Sequence, residues 1–207
     1  MKIIFKNMKK TTLILNISLT LILYSCSDSK KADENQIKAD SLSYKTNIKS
    51  GDAKSETKLL GDLYIVIPDE LEEASEDKIK LKYPGAKRPD FVFGTKNMQV
   101  NLCYSITKTP LKLSELNKYL ETTSAGIMQQ IGKESVSQSY MDTINTVPFA
   151  VIEFYSPTAD EGRIYNLMFA TSLNDKMVLI SFNCLESLLP EWEQDVSEIF
   201  SSLKLEK

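Results

Sequence analysis

The chain has no histidine in its 207 residues. That absence removes the commonest general base, the usual Ser-His and Cys-His nucleophile pairs, and every imidazole metal ligand. Cysteine is scarce too. The three present show no CxxC spacing, so a zinc site of the usual kind lacks its ligands. The seven glycines form neither a GxGxxG pattern nor a P-loop, so no phosphate-cradling motif is available. A membrane-spanning helix needs about 20 predominantly apolar residues. The apolar run at 11–23 is shorter and carries Thr11, Thr12, Asn16, Ser18 and Thr20.

What is present starts with that run. Lys9 and Lys10 precede it, and Leu23-Tyr24-Ser25-Cys26 closes it. A positive segment, an uncharged apolar core and a small residue before a cut are the parts of an export signal. Cys26 stands directly after the small residue Ser25. This order resembles the lipobox of bacterial lipoproteins, with Tyr24 at a position where a small residue is usual. The resemblance implies that 1–25 is a removed signal peptide and that Cys26 is the lipid attachment residue, carrying palmitate-like acyl chains. Each buried methylene contributes about 0.8 kcal/mol, and two chains anchor stably. An ordinary secretory signal would share residues 1–25 but leaves Cys26 without a role.

Four of the 25 basic residues, Lys2, Lys6, Lys9 and Lys10, leave with such a signal. The remaining 182 residues then carry 21 basic against 28 acidic side chains, a formal charge of −7. An acidic body is a poor partner for nucleic acid, which rewards clustered Lys and Arg. Ser27 to Lys58 is rich in Ser, Lys, Asp, Glu and Asn and lacks sustained apolar periodicity. It reads as a disordered tether (26–58 with the acylated cysteine) that holds the domain at 59–207 off the membrane. Acidic residues soon after the cysteine direct surface export in Bacteroidetes-like lipoproteins, and Asp28 is such a residue. Ser27 in place of aspartate directly after Cys26 points to the outer membrane by likeness to Gram-negative sorting rules.

Within 59–207, Leu63 to Ile67 reads as a buried strand stopped by Pro68. Ser75 precedes a short helix with Glu76 and Asp77 in its first turn and Lys80 and Lys82 near its end, the order a helix dipole favours. Asp90 to Phe93 and Met98 to Thr107 read as paired strands. Leu113, Leu116, Leu120, Ile127 and Ile131 keep helical spacing, so 112–131 is an amphipathic helix ending at Gly132. Four strands follow, 134–144, 147–155, 163–173 and 177–184, joined by turns too short for parallel crossovers. Leu188, Trp192, Val196, Ile199, Phe200 and Leu203 form the stripe of a last helix at 187–203. Trp192 is expected to be largely buried on the sheet. The simplest arrangement is α+β: an antiparallel sheet flanked by two long helices.

Several local sequences sit in that order: Lys82-Tyr83-Pro84 followed by Arg88-Pro89, Asn166-Leu167-Met168-Phe169, Phe182-Asn183-Cys184 ahead of Trp192, and Ser202-Leu203. Over roughly residues 60–207 the chain resembles the PsbP/Mog-like fold, an α/β/α sandwich that includes DcrB-type bacterial lipoproteins and type VI secretion chaperones. The resemblance implies binding or assembly work and no single activity.

Cys103 and Cys184 lie in apolar strand-like runs, where free cysteine behaves as a small buried hydrophobe; export would equally permit a disulfide. The adjacent acids Asp160/Glu161 and the nearby Glu191/Glu193 read as solvated. Glu153, between Ile152 and Phe154, is placed on the solvent face by alternation. The loop Tyr83 to Asp90 gives an acidic chain a local positive point at Lys87 and Arg88, stiffened by two prolines. Its cations can pair with the six acids between Asp69 and Asp77, or dock a partner, with Arg88 gripping a carboxylate and Tyr83 and Phe91 as aromatic anchors. The expectation is a non-enzymatic envelope lipoprotein that binds a protein partner, with no cofactor, no metal and no nucleic acid. An immunity protein against a secreted toxin is one version, and a hydrolase using carboxylates is the rival class.

Overall fold

A computed structural model describes residues 56–59, 62–85, 87–158 and 162–205. The signal segment, Cys26, the tether up to residue 55, Asp160 and Glu161 lie outside the described residues.

The elements come in the order β1 (Glu56–Lys58), β2 (Leu63–Val66), β3 (Glu72–Glu73), α1 (Glu76–Lys82), β4 (Phe91–Gly94) and β5 (Val100–Pro110). Then follow α2 (Leu116–Ile131), β6 (Val136–Ile144), β7 (Val147–Pro157), β8 (Arg163–Leu173), β9 (Lys176–Leu185), α3 (Leu189–Ser201) and β10 (Lys204–Leu205). Seven strands make one antiparallel sheet in the order β3-β4-β5-β9-β8-β7-β6. After β5 the chain crosses through α2 to the far edge and meanders back until β9 pairs with β5.

Strand alternation divides the core in two. On one face Leu102, Phe149, Leu167, Phe169, Ile180 and Phe182 pack against Val196, Ile199 and Phe200 of α3. On the other, Ile152, Phe154, Met168 and Leu179 meet Leu116, Leu120 and Ile127 of α2, while Val92 and Cys103 lie under α1 with Ala74 and Tyr83. Helices therefore cover both faces of the antiparallel sheet, the α+β sandwich expected from the sequence.

Two-residue turns close the β6–β7 and β8–β9 hairpins. Asn145 and Thr146 have φ of 46° and 74°, and Asn174 and Asp175 have 52° and 58°. These left-handed values suit the right-handed twist of paired strands. Gly132, at φ 106°, ends α2 with its N–H on the Met128 carbonyl at 3.1 Å.

Some expectations shift. β2 does not join the main sheet. It sits between β1 and β10 in a separate three-stranded sheet, and its buried side chains Leu63 and Ile65 complete the α3 core. The Val66 N–H reaches Ser202 Oγ at 2.8 Å, fixing that sheet to the end of α3. Glu56–Lys58, placed in the tether by composition, is a strand paired with β2. Its polar side chains hide the pattern, because pairing rests on backbone groups. Leu113 belongs to a single 3-10 turn before α2 and stays exposed. Trp192 is half-buried, its ring 6.2 Å from Phe182. It lies against the sheet but at the rim of the α3 contact.

Candidate functional site

α1 is short, and its capping follows the sequence: Ser75 Oγ accepts from the Lys78 N–H, and Lys80 pairs with Glu76 at 2.7 Å. Its end turns Lys82 and Tyr83 down onto the sheet. The strands below present polar side chains where the rest of the sheet presents apolar ones. Register puts Asn101 of β5 beside Asn183 of β9, and Asn183 beside Asn166 of β8. All three are buried, on the same face.

Asn101 and Asn183 are bonded to each other, whereas Asn166 bonds groups of β7 and β8. Asn101 Nδ2 donates to Asn183 Oδ1 at 3.2 Å and to the Met98 carbonyl at 3.0 Å. Asn166 Nδ2 donates to Ser156 Oγ at 3.1 Å and the Ile164 carbonyl at 2.9 Å. Lys82 Nζ donates to the same Met98 carbonyl at 2.7 Å. Met98 has φ 58°, and this left-handed turn residue offers its carbonyl to both donors. Asn101 Oδ1 has no hydrogen-bond partner among the described residues, although it is fully buried. Gly94 faces it: a methyl group there would lie 2.9 Å from Asn101 Oδ1 and from Met98 Sδ.

Burial pulls the Lys82 ammonium down to about 8, with the Cys103 and Cys184 thiols partly opposing the shift. Burial also pushes up the Cys103 thiol, and Tyr83 Oη sits 3.0 Å from its sulfur. The thiol therefore keeps its proton at neutral pH, and nucleophilic chemistry needs the thiolate. The cluster offers amide hydrogen bonds and one titratable amine. Among the described residues, no three His, Cys, Asp or Glu side chains converge as metal ligands do.

The sequence-selected loop residues are divided by the fold. Tyr83 is buried beneath α1, whereas Phe91 packs on the opposite face of the sheet against Tyr104, centroids 6.4 Å apart. They cannot form one aromatic surface. Lys87 and Arg88 are exposed, and Arg88 Nε donates to the Tyr83 carbonyl at 3.0 Å. The guanidinium also helps to hold the Glu76 carboxyl below the usual range, though Lys80 is the larger cause. Leu81, not singled out from the sequence, is 85% exposed on α1. A leucine in a seven-residue helix carries no periodic signal that would mark it.

Cys103 and Cys184 are free and buried on opposite faces, which excludes a bridge between them. Burial pushes the Cys184 thiol up to about 12. Glu153 shares the α3 face with Val151 and is half-buried, whereas alternation read from the sequence places it on the solvent face. Its carboxylate accepts from Ser137 Oγ at 2.9 Å, and burial raises it despite that bond.

No protein-family model matches the chain, and no curated protein matches it in sequence. Solved structures do. The cyanobacterial PsbP of Synechocystis superposes with a TM-score of 0.53 at 14% identity, over 78% of this chain and 98% of that one. LpqN, involved in cell envelope biogenesis of Mycobacterium tuberculosis, gives 0.47 at 10% identity over 76% and 87%. The Ran-binding protein Mog1p of Saccharomyces cerevisiae gives 0.43 at 11% over 73% and 94%. At these identities the likeness concerns architecture alone, and the chain has the PsbP/Mog-like fold.

Proposed function

We propose that this chain is a non-enzymatic lipoprotein of a Gram-negative envelope, anchored at Cys26 on the outer membrane, that holds a protein partner at the α1–β4 corner. The anchor half rests on the lysine–apolar–Ser25-Cys26 order. The observation that carries the partner half is the guanidinium of Arg88. Its Nε is held by the Tyr83 carbonyl, and Tyr83 is itself pinned in the core beside Cys103. A cation so placed loses little rotamer freedom on meeting a carboxylate. Exposed Leu81 and Pro84 lie at the same corner and supply apolar contact. The partner fitted by this corner presents a carboxylate beside an apolar side chain; an immunity role against a secreted toxin is one form of that contact.

Fatty-acid labelling in a Gram-negative host tests the anchor. The wild type labels and fractionates with membranes, and Cys26→Ala does neither. If Cys26→Ala still labels, the anchor assignment fails. Capture from envelope extracts tests the corner. A partner retained by the wild type is expected to be lost from the Lys87→Ala, Arg88→Ala double variant. Equal retention by both removes the corner from the account.

A further inference from the structure

A free strand edge templates pairing with other chains, and folded proteins guard such edges with short strands, charge, proline or capping side chains. The described edges of this chain are guarded in those ways along their length, except β6, whose guards sit at its two ends and leave Gln138 to Met141 open. β3 is two glutamates, and the outer strands of the small sheet, β1 and β10, are three and two residues long. β5 outruns β4, but there Asp90 caps the Ile106 N–H at 2.7 Å, and Lys108 and Pro110 follow. β6 ends the main sheet on the other side. It runs nine residues without proline or lysine, and its one charge is Asp142.

The register fixes where its backbone groups point. Thr143 pairs with Pro148, which has no N–H, so this is a non-hydrogen-bonded pair. The backbone N–H and C=O of Thr143 therefore face away from β7, and Asp142 Oδ1 takes that N–H at 2.7 Å. Alternation turns Met141 and Ser139 outward in the same way. Between Val136 and Gln138 the register shifts, so the regular edge begins at Gln138.

We infer that β6 pairs antiparallel with β6 of a second copy, about a two-fold axis through Tyr140, joining two seven-stranded sheets. The strand is self-complementary in that register. Ser139 lies opposite Met141, and these two residues from both copies exchange four backbone hydrogen bonds. Tyr140 faces its own copy at the axis. Each Asp142 lies opposite the amide of Gln138 and not opposite a second carboxylate, so the one charge on the edge meets a donor. An isologous contact of this kind closes on itself.

The test uses the full chain in membranes of the producing host. Residues opposite each other in a non-hydrogen-bonded pair have Cα atoms about 4.5 Å apart, within disulfide reach. Tyr140→Cys is therefore expected to give, on mild oxidation, a reducible band at twice the chain mass. Lys118→Cys on the exposed side of α2 is expected to give none. Met141→Pro removes an outward N–H while leaving the β7 ladder intact, and is expected to abolish the band. Gln138→Lys should strengthen and Gln138→Glu weaken association, each by roughly two- to fivefold. Sedimentation of the detergent-solubilised wild type and the two Gln138 variants reads that order even if Tyr140→Cys fails to fold. A Tyr140→Cys band no stronger than that of Lys118→Cys, equal association of the Gln138 variants, or cross-linking to a different protein overturns the inference.

Discussion

Lys82 has an ordinary lysine pKa when unfolded and one near 8 when folded. The unfolded chain therefore binds more protons between about pH 8 and 10.5. Stability contributed by this residue rises with pH across that window, and the cost of the charged form is fully present below it. Cys103 and Cys184 act in the opposite sense over part of the same range, because their folded pKa values are raised and unfolded thiols ionise first. Comparison with Lys82→Met isolates the lysine. The variant is expected to be more stable than wild type at pH 7, by roughly 1–2 kcal/mol, with the gap closing by pH 10.5. Urea unfolding at several pH values measures this, and a gap independent of pH would contradict the burial of the charge. Gly94 is testable at the same scale. Gly94→Ala forces a methyl group against Asn101 Oδ1 and the Val100 carbonyl, 3.2 Å away, and is expected to cost about 1–3 kcal/mol in the same assay. Neither position was legible in the sequence. Lys82 reads as a dipole-complementing lysine, and Tyr83 as a surface aromatic, because seven residues of helix do not define a face. The asparagine row appears only once β8, β9 and β5 are neighbours.

At the level of elements, α3 and its counterpart surface dominate one core. Phe200 stacks on Phe169 with ring centroids 3.9 Å apart, and Phe169 meets Phe149 edge-on at 5.9 Å. Phe200→Ala removes the centre of that stack and is expected to cost about 3–5 kcal/mol, read as a lowered urea midpoint with unchanged slope. A loss below 1 kcal/mol would mean that α3 is not a principal cover of the sheet. The helix and its stripe were plain in the sequence because six apolar residues keep a 3.6-residue period over four turns. The hairpins were plain because short joints with Asn and Asp leave antiparallel pairing as the only geometry. Asn145 does more than turn the chain: its Nδ2 donates to the Ser201 and Leu203 carbonyls at 3.1 and 2.8 Å, locking the β6–β7 turn to the end of α3. That contact spans more than 50 residues and left no local trace.

Across the whole molecule, the α+β class followed from the order of elements, but their pairing did not. β5 and β9 are brought together only after α2 carries the chain across the sheet, and β1 and β10 join β2 from opposite ends of the described chain. Such pairings depend on what is left unpaired when the local hairpins have formed, which periodicity does not encode. The same separation applies to the candidate docking corner. The charged loop was visible as Lys87-Arg88 between prolines, while its supports were not: the Tyr83 carbonyl under Arg88 and the exposed Leu81 are products of packing. The account's central claim is that this corner holds a partner at the membrane. Its most direct test is a photo-cross-linking residue placed at Lys87 in the full chain, in cells, compared with the same residue at Lys118 on α2. The account predicts a discrete heterologous adduct at position 87 that is absent at 118 and lost when Arg88→Ala and Leu81→Ala are added. The same adducts at both positions, or an adduct at 87 indifferent to Arg88 and Leu81, would contradict it.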